Sequence, residues 1–151
     1  MSAAQTVRDI VEANRYLVLA TADADGRPWS SPVYFAHVGY TEFFWISSPE
    51  ATHSRNIAVR PDVGIVVFDS QAPPGTGQAV YMSAVAALLE DHEAAPGIQA
   101  FSHRSVADGA ESWTTETVRA AGFRLYRATA TAHSILAHDN TPDHRVPVTL
   151  P

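Results

Sequence analysis

Residues 45–61, WISSPEATHSRNIAVRP, constrain the fold more than any other stretch of this chain. The aromatic and β-branched run Phe43, Phe44, Trp45, Ile46 ends a strand, residues 47–50 turn the chain, and residues 51–60 form a short helix stopped by Pro61. A strand feeding a helix N-terminus brings unpaired backbone N–H groups and the positive end of the helix dipole to one place. Ser47, Ser48, Thr52, His53, Ser54 and Arg55 add side-chain donors beside them, a combination that suits a phosphate. The competing account is an ordinary capped helix, with Ser48 or Ser47 as the cap, Ile57 turned to the core, and Arg55 and Arg60 in solvent.

Around this stretch the chain reads as short strands joined by turns. Residues 4–14 place Val7, Ile10 and Val11 on one face of a helix, which fills most of the N-terminal segment 1–15. Residues 16–21 (YLVLAT) are a buried strand and DADG at 23–26 is a turn. The return strand spans 27–38, where Pro28 and Pro32 each remove a ladder donor and imply an edge or a bulge. Strands follow at 42–47 and 63–69, then a Pro- and Gly-rich loop at 70–77. Residues 78–90 fit a strand or a helix, and the hairpin context selects a strand. Residues 92–106 and 113–121 read as helices, the second capped by Ser112 or Thr114 and ended by Gly122. Residues 123–131 alternate as a strand, 132–137 lead to a last short one, and the tail 138–151, with three prolines, reads as loop.

The sum is a mainly β fold in one domain over residues 1–151: an antiparallel barrel of six to seven strands with inserted helices and no GxGxxG opening a helix. Every one of the 10 basic residues is arginine, against 16 acidic ones. The absence of lysine excludes Schiff-base chemistry and the Walker loop, and the net charge of -6 speaks against a nucleic-acid surface. With no cysteine there is no thiolate chemistry and no disulfide. No apolar run approaches a membrane span and residues 1–15 lack a signal core, so the expected location is cytoplasmic, with no membrane partner.

In this order the first strand, the DADG turn, WSSPVYF, WISSPEATHSRNI and GQAVYMSAVAALLED resemble the pyridoxamine 5'-phosphate oxidase superfamily, the FMN-binding split barrels of Greek-key type, over residues 15–136. The resemblance implies that residues 29–35 lie along the isoalloxazine ring and offer it backbone groups, placing Ser30, Ser31, Pro32 and Val33 there, and that Ile46 and Ser47 come from the end of the next strand. The family's small or hydroxyl residue followed by two basic ones, which hold the FMN phosphate, matches Ala51, Thr52 and His53. Ala51 lacks the hydroxyl and Thr52 the charge, which leaves Ser54 or Arg55 as substitutes. Gln78 matches the family glutamine that reaches the flavin. The resemblance further implies a homodimer with cofactor at the subunit interface and a small-molecule substrate. Leu136 stands where pyridoxamine phosphate oxidases proper carry a tryptophan, and the tail offers Asp143, His144 and Arg145 near their Arg-x-His segment, so the expected substrate is a different molecule.

Three functions follow: an FMN-dependent oxidoreductase, an enzyme using the deazaflavin F420, which the missing lysines disfavour, and a non-catalytic flavin or haem binder engaging His53 or a tail histidine. No proton-transfer residue stands out. His37 and Tyr34 are candidates for the pocket mouth, although a strand histidine more commonly pairs with a neighbouring carbonyl. His133, His138, His144, Asp139 and Asp143 match no compact metal-ligand spacing and read as solvated. Trp113 reads as a core or dimer anchor, and His103 and Arg104 as exposed helix residues or the lining of a substrate entrance.

Overall fold

The computed structural model describes residues 1–139, 142 and 144–151, so Asp143 lies outside the described residues. The chain opens with α1 (Ala3–Ala13), whose first turn is closed by the Ser2 hydroxyl accepting from Gln5 N–H at 3.1 Å. It continues through β1 (Tyr16–Ala22), β2 (Pro28–Tyr34), β3 (Ala36–Val38), β4 (Glu42–Ser47), α2 (Thr52–Val59), β5 (Asp62–Phe68) and β6 (Ala79–Leu88). Then come α3 (Asp91–Ala107), α4 (Thr115–Ala120), β7 (Arg124–Leu136) and β8 (Arg145–Val148).

All eight strands belong to one antiparallel, curled sheet in the order β2-β1-β5-β6-β7-β4-β3, with β8 added to β7. Its concave face holds Leu17, Leu19, Phe43, Trp45, Ile65, Val67 and Val80, closed by Val7 and Val11 of α1. A smaller cluster of Phe44, Leu89, Ala94, Ile98 and Leu125 lies on the other side of β4, under α3. Helix α3 comes this close because position 97 is glycine: a Cβ there would lie 2.7 Å from both Phe44 and Leu125.

Three expectations change. The strand expected at 27–38 breaks at Phe35, which turns fully into the core and donates its N–H to Arg15 O at 3.1 Å. The two prolines sit as expected on an edge, since β2 ends the strand order. The tail is not all loop: β8 forms within it and raises the strand count among the described residues to eight, above the expected six to seven. It forms because β7 is 13 residues long. While β6 runs along one edge of β7, β4 takes residues 124–129 of the other and leaves residues 133–136 free for β8.

Candidate functional site

Helix α2 begins without a side-chain cap. The capping position falls on Ala51, so neither Ser47 nor Ser48 is the cap expected of them. Both hydroxyls lie too early in the chain and are used elsewhere: Ser48 Oγ accepts from Glu50 N–H at 3.1 Å, and Ser47 Oγ lies 2.9 Å from His53 Nε2. The first helical bond runs from Arg55 N–H to Ala51 O at 3.0 Å, so the backbone N–H groups of Thr52, His53 and Ser54 project from the helix end. Ser54 is 3% exposed, and its hydroxyl has no hydrogen-bond partner among the described residues. Burial holds the imidazole of His53 below the ordinary histidine pKa. The arrangement is a set of neutral donors gathered at the positive end of a helix dipole, suited to a small anion.

The arginines are committed elsewhere. Arg55 reaches back to Glu50, with Nη2 2.5 Å from Oε2, and both side chains are exposed. Arg60 is exposed, as expected, and also donates to Asp23 O at 2.7 Å and Ala24 O at 3.0 Å, tying the end of α2 to the β1–β2 turn. Asn56, buried, donates to Thr21 Oγ1 at 3.0 Å and fixes the helix against β1.

The convex face of the sheet holds the rest. Ser30 pairs across to Ala20, Ala20 to Gly64, Gly64 to Ser83 and Ser83 to Ala132, a row of small residues over five strands. This row floors a cleft of about 640 Å³ bordered by Val66, Tyr81, His133 and Arg145. The guanidinium of Arg145 lies 3.7 Å over the Tyr81 ring. Ser31 is half-buried and Pro32 exposed on β2, while Val33 faces the core and leaves only backbone to a ligand. Ile46 packs against the cluster under α3 and lines a cleft with Tyr16, Tyr34, Phe101 and Trp113.

Gln78 borders a neighbouring cleft with Phe68, Tyr81 and Leu136. Its Oε1 accepts from Ala79 N–H at 2.9 Å and Leu136 N–H at 2.8 Å, and its Nε2 donates to Leu136 O at 3.0 Å. The amide extends the β6–β7 ladder and keeps one N–H for a ligand. The structure therefore brings Ser47, Thr52, His53, Ser54 and Arg55 together at the α2 start and places Ser30 and Gln78 in adjoining clefts that share Val66 and Tyr81. Sequence reasoning passed over Tyr81; its signal was the alternation along β6, which turns Val80 and Met82 inward and Tyr81 outward.

The other candidates are engaged. His37 pairs through Nδ1 with the Gly39 carbonyl, and its Nε2 lies 3.6 Å from Glu12. Tyr34 donates to Asp108 at 2.5 Å, and burial followed by that bond pushes its pKa up to about 12. His133 Nε2 lies 2.6 Å from Tyr40 O, and His144 Nε2 3.2 Å from Asp139. Among the described residues no three His, Cys, Asp or Glu side chains gather as metal ligands, and no helix is long and apolar enough to cross a membrane.

Comparison with known proteins returns a consistent architecture. The family model for pyridoxamine 5'-phosphate oxidase matches residues 3–137. A haem-binding protein from Mycobacterium smegmatis superposes with a TM-score of 0.76 at 22% identity over 99% of this chain, which spans only 58% of that protein. A haem storage protein from Vibrio cholerae gives 0.69 at 26% identity, covering 86% of this chain and 91% of its own. A FAD-binding protein from Mesorhizobium loti gives 0.67 at 22%, with coverage of 89% and 94%. A search of curated proteins finds no match.

Proposed function

This chain belongs to the pyridoxamine 5'-phosphate oxidase family, and on that premise we propose that it is an FMN-dependent oxidoreductase acting on a small organic molecule. The observation that carries this reading is the uncapped start of α2, where three projecting N–H groups, the unpaired Ser54 hydroxyl and the Ser47–His53 pair converge. These residues fit a phosphate monoester. The backbone of Ser30, Ser31, Pro32 and Val33 on the edge strand β2 offers hydrogen bonds to the polar rim of the ring, Ile46 and Ser47 close its end, Thr52 and Arg55 border the phosphate, and Gln78 gives its remaining N–H. Bound flavin supplies the electron transfer; the chain's part is to bind and orient it and to exclude water. Leu136, pinned by Gln78 where the oxidases proper carry a tryptophan, supports a substrate other than pyridoxamine phosphate.

On this reading the chain folds as one split-barrel domain, resides in the cytoplasm and works as a homodimer with the cofactor between subunits. The convex sheet face supports this, since Phe68 and Val85 each expose 44% of their surface there. Sedimentation of the purified chain as a monomer at micromolar concentration would remove the dimer.

A second reading, haem binding, is favoured by the likeness to two haem proteins, with His53 or His138 as the available histidine. Titration with FMN, F420 and haemin, followed by absorbance and fluorescence, separates the readings. Tight binding of FMN alone supports the flavoenzyme; preference for haemin, lost in His53→Ala or His138→Ala, replaces it with the haem reading.

A further inference from the structure

His53 stands where the phosphate site needs charge. Around it the permanent cations are engaged, Arg55 with Glu50, Arg60 with the β1–β2 turn and Arg124, which stands opposite Ser47 on β7, with the Phe123 carbonyl, and Thr52 is neutral. Ser54 adds an unpaired buried hydroxyl but no charge. Helix α2 packs against β1, β2 and β6, whose ionisable side chains are Tyr16, Tyr34 and Tyr81. Tyr34 is bonded to Asp108, and β4 presents the Ser47 hydroxyl. Asp23, in the turn held by Arg60, has its carboxylate occupied by the N–H groups of Asp25 and Arg27 at 2.9 Å. Burial alone weakens proton binding by His53, with no charged neighbour contributing.

Resting on the FMN reading, we infer that this site takes its phosphate monoester together with a proton, which His53 acquires from solvent as the ligand binds and releases as the ligand leaves. The Ser47 hydroxyl, 2.9 Å from Nε2, serves both ring states, because a hydroxyl donates to the bare nitrogen of neutral imidazole and accepts from the N–H of imidazolium. A phosphate dianion beside the ring supplies the counter-charge that the free protein lacks. Ligand affinity and proton uptake are thereby linked, and His53 makes retention of the cofactor sensitive to pH near neutrality.

The test is calorimetric titration of the full chain with FMN in buffers of different ionisation enthalpy, with riboflavin as the phosphate-free control. From about pH 8 to about pH 6.5, above the second phosphate ionisation, the wild-type chain should take up close to one proton per FMN, and its affinity should rise by up to about tenfold per pH unit. Riboflavin should show neither effect. His53→Gln should bind FMN more weakly and without uptake, and His53→Arg tightly and without uptake. FMN binding without proton uptake by the wild-type chain, or uptake preserved in either variant, overturns the inference and leaves the FMN reading standing. Failure of wild-type protein to bind FMN overturns both.

Discussion

Helices α4 and α2 begin in opposite ways. At α4 the Thr114 hydroxyl accepts from Thr117 N–H at 3.2 Å while Thr117 Oγ1 accepts from Thr114 N–H at 2.8 Å, a closed capping box. At α2 the equivalent position is Ala51, and the donors of the first turn have no side chain to meet them. The contrast extends to two buried serines: Ser105 Oγ donates to Glu111 O at 2.6 Å, whereas Ser54 Oγ has no partner. A helix start that serves only the fold is satisfied internally. One left open sacrifices local stability and keeps its donors for something that arrives from outside.

The sharpest way to break this contrast is to close the open end. Ala51→Asp should cap α2 and stabilise the free protein by about 1 kcal/mol, while its charge lowers FMN affinity by about tenfold or more. Denaturant melts and flavin titration read the two effects, and unchanged affinity would mean that the anion binds elsewhere. The reciprocal change, Thr114→Ala, should cost about 1 kcal/mol of stability in a urea melt and leave flavin binding untouched. The serines sharpen the comparison further. Ser105→Ala should lose about 1 kcal/mol, whereas Ser54→Ala should fold with stability within about 0.5 kcal/mol of wild type and bind FMN about threefold to tenfold more weakly. Equal losses of stability at the two serines would show that Ser54 is not held in reserve.

The smallest effect is on stability against pH. Burial lowers the His53 pKa in the folded chain, so the unfolded chain takes up that proton first as pH falls. His53's contribution is therefore complete above the ordinary histidine value and is lost as pH drops through the lower folded value. Urea midpoints across this range should decline in wild-type protein and less so in His53→Gln; equal slopes would assign the decline to other groups.

How much of this was legible from sequence depended on whether a residue's partner was near in the chain. The strand at residues 42–47 was readable from its aromatic and β-branched run between turn signals, and residues 78–90, ambiguous by periodicity, were readable as a strand only through their hairpin context. The strand β8 was not, since Pro147 argues against a strand and only the free end of β7 makes one worthwhile. At the α2 start, cap preferences pointed to Ser48 or Ser47 because hydroxyls are the usual caps; that Ala51 holds the position follows from where the turn ends, a matter of backbone path. The Gln78 amide meets a backbone 58 residues away, and no local pattern announces such a bond. The Arg55–Glu50 pair is local, its partners five residues apart at the start of α2.

The divided edge of β7 sets the order in which the molecule can be made. Strand β4, which ends in Ser47, pairs among the described residues with the three-residue β3 and the first half of β7 alone. As the chain leaves the ribosome, Ser47 and His53 emerge well before the strand that fixes Ser47 against Arg124. The binding loop must therefore wait, solvent-exposed and without its final geometry, until a slow long-range pairing completes it. Truncations reaching into β7 would abolish a phosphate site whose own residues, Ser47 to Arg55, all precede that strand.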